Sequence, residues 1–157
     1  MKRRISVVPG YLVDTNVWIA FNFGGHPRNA DAITFIENCS EESPALFSRA
    51  VENSTLRLMT NPSVCLAYNS PPLTNHQAVT VLNDWRSHDH VNCLDAEPEE
   101  TRELWLELAS IPSASPKVWM DAYLAAFAIR AGHPFATLDA DFRRYESKGL
   151  QLCLLSA

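Results

Sequence analysis

Two short apolar runs end on an aspartate: Tyr11-Leu12-Val13 runs into Asp14, and Phe135-Ala136-Thr137-Leu138 runs into Asp139. Runs of this kind read as buried strands. Ala45-Leu46-Phe47, Val91 to Leu94 and Leu150 to Leu155 have the same character. The stretches between them carry helical spacing. One helix opens at Thr15 or Asn16 and continues through Val17, Trp18, Ile19 and Ala20. Others are predicted from Asn29 to Cys39, from Arg49 to Met59 (stopped by Asn61-Pro62), from Thr74 to Arg86 and from Pro98 to Ala109. Ser115-Pro116 opens the last helix, which runs to Arg130 or Ala131, and Gly132 suits its C-terminal cap. Strands alternating with helices predict an α/β fold with a central parallel sheet and helices on both faces.

The chain has 157 residues, one domain's worth, and enough to bury a core without staples. The stretch Asn69 to Thr74, around Pro71 and Pro72, is a loop within that domain, so residues 1–157 are expected to form a single unit. The four cysteines are widely spaced and form no CxxC pair. That excludes a zinc ribbon and predicts reduced, buried thiols in a reducing compartment. Met1 to Pro9 lacks the apolar core of a secretion signal, and no apolar run is long enough for a membrane span. A cytoplasmic protein with no membrane association is expected. The net charge of −5 is not the broad basic surface of a typical nucleic-acid binder. It suits an enzyme that concentrates carboxylates at one site, or one that awaits a basic partner.

Four acids stand out. In open parallel sheets, sites form outside the carboxyl ends of the strands, which is where Asp14 and Asp139 fall. Each equally suits a helix cap or turn. Asp121 lies roughly six positions inside its helix, too deep to cap it, and shares a face with Ala125 and Ala128. A carboxylate on a small apolar face needs a positive partner. The helix's own Lys117 and Arg130 are assigned to other azimuths, which leaves a metal ion or a basic residue from elsewhere. Glu52 heads a similar stripe with Leu56 and Met59, although a first-turn glutamate also suits the helix dipole. Four acids at one end of one sheet offer hard oxygen ligands to a divalent cation, a centre suited to phosphodiester hydrolysis.

The motifs around these acids resemble those of PIN-domain ribonucleases, and in particular the VapC toxins of VapBC toxin–antitoxin pairs. Val13-Asp14-Thr15-Asn16-Val17 resembles the opening PIN motif. Glu52 with Arg57-Leu58-Met59-Thr60-Asn61-Pro62 resembles the helix of the second acid, and Asp121-Ala122-Tyr123-Leu124-Ala125-Ala126 that of the third. Thr137-Leu138-Asp139-Ala140-Asp141-Phe142 resembles the closing motif. The likeness spans nearly the whole chain. It implies a PIN-like fold, endoribonuclease activity and dependence on Mg²⁺ or Mn²⁺. It implies an acidic centre of Asp14, Glu52, Asp121 and Asp139, with Asn16 and Thr137 orienting it. Asp141 is implied either as a water-mediated ligand or as a cap for the turn at Phe142. The likeness further implies a cognate VapB-like antitoxin that blocks the site, and a homodimer. Met1 to Gly10 extends further ahead of the first acid than in many relatives.

The RNA-gripping surface is not marked. Arg57, Arg143 and Arg144 are the first candidates for phosphate contacts, with Arg28, Arg49 and Lys148 behind them. His88-Asp89-His90 is read as a loop, and His26 and His133, beside prolines, as turn residues. The tryptophans read as core or dimer-interface packing, with the helices around Trp18 and Phe35 as candidate dimer surface. Two other functions fit an acidic α/β chain. A Mg²⁺-dependent phosphatase would carry Asp-x-Asp after its first strand, but Asp14 is followed by Thr15-Asn16. A non-catalytic PIN-like module that binds RNA or protein would lack one of the acids, and all four are present.

Overall fold

The computed structural model describes residues 10–155; Met1 to Pro9 lie outside the described residues. Five strands form one sheet: β1 (Tyr11–Val13), β2 (Ala45–Ser48), β3 (Val91–Leu94), β4 (Phe135–Thr137) and β5 (Leu152–Leu154). All pairings are parallel and the order across the sheet is β3-β2-β1-β4-β5. Seven α-helices accompany them: α1 (Thr15–Asn22), α2 (Asn29–Glu37), α3 (Arg49–Met59), α4 (Pro62–Ala67), α5 (Asn75–Arg86), α6 (Thr101–Ala109) and α7 (Pro116–Ala131). A 3₁₀ segment, Ala140–Lys148, links β4 to β5.

The strand order has one consequence for function. From β1 the chain steps to β2 and then β3 in one direction, returns to β4 on the other side of β1, and continues outward to β5. Right-handed crossovers then place α1 to α5 on one face and α6 and α7 on the other. The helix contacts fall into the same two groups, α1 with α2 and α3, α3 with α5, and α6 with α7. The connections leaving β1 and β4 therefore part to opposite faces, and a crevice opens between the C-terminal ends of these two neighbouring strands.

Local sequence sets the element ends. Asp14 caps α1, Ser48 caps α3, and Thr74 and Gln77 form a reciprocal capping box at α5. Gly132 ends α7 with φ +74°, a conformation glycine adopts without strain. Asn61-Pro62 stops α3 as expected, but it also starts α4, because Asn61 caps the next two N–H groups and Pro62 fits a first turn. Pro98 does not open α6. Glu100 takes a left-handed conformation, and the Thr101 hydroxyl donates to the Pro98 carbonyl at 2.7 Å, so the helix begins at Thr101. Among the described residues no helix is long and apolar enough to cross a membrane.

The core lies between the sheet and its helices. Trp18 is its centre, fully buried, stacked on Phe47 with centroids 3.9 Å apart and lying 5.4 Å from Trp85. Trp18 is thereby unavailable to a dimer surface. The opposite face is lined by the small stripe Ala122, Ala125, Ala126 and Ala128 of α7, all fully buried. The four cysteines are free thiols, with Cys65 buried and the others half-buried. Removing the central indole should be among the costliest single changes in this fold. Trp18→Ala is expected to lower unfolding stability by about 3–5 kcal/mol, read from urea denaturation, with refolding yield as a companion measure.

Candidate active site

Asp14, Asp121 and Asp139 meet in the crevice between β1 and β4. Together with Thr15, Asn16, Ile19, His26, Leu58, Val64, Tyr68 and Lys117 they line a cleft of about 370 Å³. Asp14 directly follows β1, Asp139 lies two residues past β4, and Asp121 projects from the middle of α7.

Asp14 is held from both sides. One carboxylate oxygen accepts the Thr15 N–H at 2.7 Å, the cap of α1, and the other accepts the buried Thr137 hydroxyl at 2.7 Å. Asn16 reinforces this link. Its Nδ2 donates to Thr137 Oγ1 at 3.2 Å, and its Oδ1 accepts the Leu138 N–H at 3.1 Å. Thr137 Oγ1 also accepts the Asp139 N–H at 3.0 Å. The orienting roles implied for Asn16 and Thr137 thus have a direct geometric counterpart. Asp139 is divided in the same way. Its Oδ1 accepts the Asp141 N–H and caps the 3₁₀ segment, while its Oδ2 faces Lys117. Asp139, not Asp141, is the cap of the turn at Phe142; Asp141 is largely exposed and reaches Lys117 at 3.3 Å.

Lys117 does not lie on a different azimuth from Asp121. Four helical residues amount to a rotation of about 40° beyond a full turn, so Lys117 and Asp121 share a face. The ammonium lies 3.7 Å from Asp121, 2.8 Å from Asp139 and 3.3 Å from Asp141. The positive partner that Asp121 demanded is on its own helix. His26 was also missed. It accepts the Arg28 N–H at Nδ1, which leaves Nε2 to carry the proton, and its ring packs against Tyr68 on the cleft wall. Neighbouring Gly25 closes on the Tyr68 carbonyl with no room for a Cβ, which seats this loop against α4. No periodicity marks such a residue, because its place depends on a loop meeting a distant helix.

Glu52 is placed differently. It sits in the first turn of α3, beyond the C-terminal end of β2 and therefore at the same end of the sheet. Its buried carboxylate is engaged by Arg49 at 3.2 Å, Arg86 at 3.7 Å and the Cys93 thiol, and it does not line the cleft. Burial and the bond to Glu52 push the Cys93 thiol up to about 12, which keeps it a donor. Arg57 faces a separate groove between α3 and α5 with Asn53, Leu56 and Thr60. Arg144 donates to the Asp141 carbonyl and acts electrostatically on both Asp121 and Asp139, so it lies near the cleft mouth. Arg143 is exposed. Arg28 is tied to Asp31 and the Leu155 carbonyl.

The cleft's electrostatics follow from burial and crowding. Desolvation raises Asp14 to about 6; the Thr137 and Thr15 bonds oppose this, and the charges of Asp121 and Asp139 add to it. Asp121 is raised by burial, against the pull of Lys117. Burial acts upward on Asp139 too, but the bonds from Lys117 and the Asp141 N–H outweigh it and leave its pKa lowered. The donors are hard oxygens, partly desolvated and mutually repelling, a set that suits a divalent cation. Among the described residues, no three ligating groups are gathered closely enough to hold an ion as they stand. The ammonium of Lys117 lies between the carboxylates instead.

A PIN-domain family model matches residues 11–148. This chain belongs to the PIN-domain family. It is 39% identical to Ribonuclease VapC41 of Mycobacterium tuberculosis over 145 residues, covering 92% of this chain and 98% of that one. Among solved structures, its PIN fold is similar to VapC20 of M. tuberculosis, titled a sarcin–ricin loop cleaving toxin, with a TM-score of 0.61 and 19% identity over 90% of this chain and 96% of that one. It is also similar to VapBC-1 of nontypeable Haemophilus influenzae, with a TM-score of 0.60 and 14% identity over 94% and 98% of the two chains.

The pKa of Asp14 makes a testable statement about the metal-free PIN domain. A value near 6 instead of 3.8 costs the ionised folded state roughly 3 kcal/mol. Because the folded pKa is raised, the protonated carboxyl's advantage is fully present below pH 3.8 and is lost as pH rises through 6. In chelator, Asp14→Asn is therefore expected to be more stable than wild type by about 1–3 kcal/mol at pH 8, and to lose that advantage near pH 4. Urea denaturation at the two pH values measures it. A variant less stable than wild type at pH 8 would contradict the assignment.

Proposed function

We propose that this PIN-domain protein is a divalent-metal-dependent endoribonuclease, the toxin half of a VapBC-type toxin–antitoxin pair, with Asp14, Asp121 and Asp139 as its acidic centre. The observation that carries the site assignment is the convergence of these three acids at the crevice between β1 and β4. Ribonuclease activity accords with the VapC relative. The whole of residues 1–157 is taken as one domain.

Asp14, Asp121 and Asp139 would hold Mg²⁺ or Mn²⁺ through oxygen atoms. When bound, such an ion supplies Lewis-acid polarisation of the phosphodiester and a more acidic water. The chain's own residues do the rest. Thr137 and Asn16 fix the Asp14 carboxylate so that it need not reorganise. Lys117 and Arg144 bring positive charge to a cleft in an otherwise acidic protein, where an RNA phosphate would enter. His26 offers an Nε2–H donor from the wall formed with Tyr68. Glu52 is a candidate fourth acid at the same end of the sheet.

A VapB-like antitoxin is the proposed partner, an assignment supported by the similar fold of VapBC-1 and of VapBC2 from Rickettsia felis. A basic segment on that partner would complement the acidic cleft. A homodimer and a cytoplasmic location belong to the same proposal.

The deciding experiment incubates antitoxin-free protein with total RNA in Mg²⁺, Mn²⁺ or chelator, beside Asp14→Asn and Asp121→Asn. Discrete, metal-requiring cleavage that disappears in both variants is expected. Cleavage that survives in both would refute the assigned centre. Thr137→Val, which keeps shape and loses the hydroxyl, should slow cleavage roughly 10–100-fold. Glu52→Gln separates two roles: a ligand role abolishes cleavage in a folded variant, whereas a purely structural role lowers stability and leaves the rate of the folded fraction unchanged.

A further inference from the structure

We propose that Lys117 is a built-in competitor for the divalent cation: its ammonium holds Asp121, Asp139 and Asp141 together in the metal-free protein and must leave when metal enters. This inference rests on the metal-centre reading above.

The geometry is specific. One Nζ lies within 4 Å of three carboxylates, at 2.8, 3.3 and 3.7 Å, and two of those three belong to the proposed centre. The ammonium therefore occupies the place between Asp121 and Asp139 where a shared cation would bind. A divalent ion and an ammonium a few ångström apart repel, so the two cannot both occupy it at full strength. The groups differ in freedom. Asp14 is clamped by Thr15 and Thr137, and Asp139 is fixed through its capping bond to the Asp141 N–H. Lys117 is 63% exposed, and among the described residues only its carboxylate partners hold the head of its flexible stem. It is the member that can swing out.

Asp14 completes the picture. Among the described residues no lysine or arginine forms an ion pair with it, although it is the most buried of the three acids. Lys117 thus satisfies only one side of the centre. A divalent ion would serve Asp14 as well, which gives it the means to displace the ammonium. Lys117 would then stand at the cleft mouth, free to meet a phosphate. The centre is protected from its own repulsion without metal, at the cost of weaker metal binding.

The test compares full-length wild type, Lys117→Gln and Lys117→Arg, each loaded with Mn²⁺. Titration followed by the electron paramagnetic resonance of free Mn²⁺ gives affinity, and melting with and without Mn²⁺ gives a second readout. Lys117→Gln is expected to bind Mn²⁺ roughly three- to tenfold more tightly, as loss of exposed ion pairs of modest strength implies. It should melt lower than wild type in chelator and gain more from Mn²⁺. Lys117→Arg, which keeps the charge, should stay near wild type. A folded Lys117→Gln that binds Mn²⁺ no better than wild type overturns the inference, as does equal tightening in both variants. If neither wild type nor Lys117→Gln binds Mn²⁺, the metal-centre reading fails and takes this inference with it. Metal-dependent RNA cleavage with an unchanged Lys117→Gln affinity defeats the inference alone.

Discussion

The Thr137 hydroxyl, buried between the ends of β1 and β4, joins the two halves of the site. It donates to Asp14, accepts from Asn16 and accepts the Asp139 N–H. The first two of these contacts span more than 120 positions in sequence, and they work only because β4 is the neighbour of β1 in register, with Val13 opposite Ala136. A slip of one residue would turn Thr137 to the other face of the sheet and break its contacts with Asp14 and Asn16. The meeting of Asp14 with Asp139 in one cleft depends on that register.

That register in turn depends on the helices. Trp18 on α1 packs on Phe47 of β2, which fixes α1 over the sheet on one side, and the alanine stripe of α7 is buried on the other. Small residues on α7 bring Asp121 near the strand ends. The approach also desolvates Asp121 and Asp14, so the packing that builds the centre raises the cost of its charge. Lys117 offsets part of that cost at Asp121 and Asp139, and Asp14 retains its share. A cation-binding site is a natural result of such a balance.

Two features treated as alternatives in the sequence are both true of the same residues. Asp14 and Asp139 are helix caps and also line the cleft. A carboxylate has two oxygens: in each residue one accepts a backbone N–H at a helix start, while the other is held by the Thr137 hydroxyl in Asp14 and faces Lys117 in Asp139. The cap sets the orientation of a carboxylate that lines the cleft. Lys117, by contrast, meets Asp121 through the plain i to i+4 spacing of one helix.

The alternation of apolar strands with amphipathic helices was sufficient to establish a parallel α/β fold, because burial on both sheet faces leaves few other ways to cover such strands. Acids at strand ends, together with the four motifs, were sufficient to identify the family and three residues of the cleft. Local pattern carries this information because the 3.6-residue and two-residue periods translate directly into faces. The engagement of Glu52 by Arg49, Arg86 and Cys93, the His26 wall and the Thr137 link were decided only by tertiary structure. Apart from Arg49, which shares α3 with Glu52, each joins segments from different elements, and the side-chain period of one segment says nothing about which distant partner the packed sheet will bring to it.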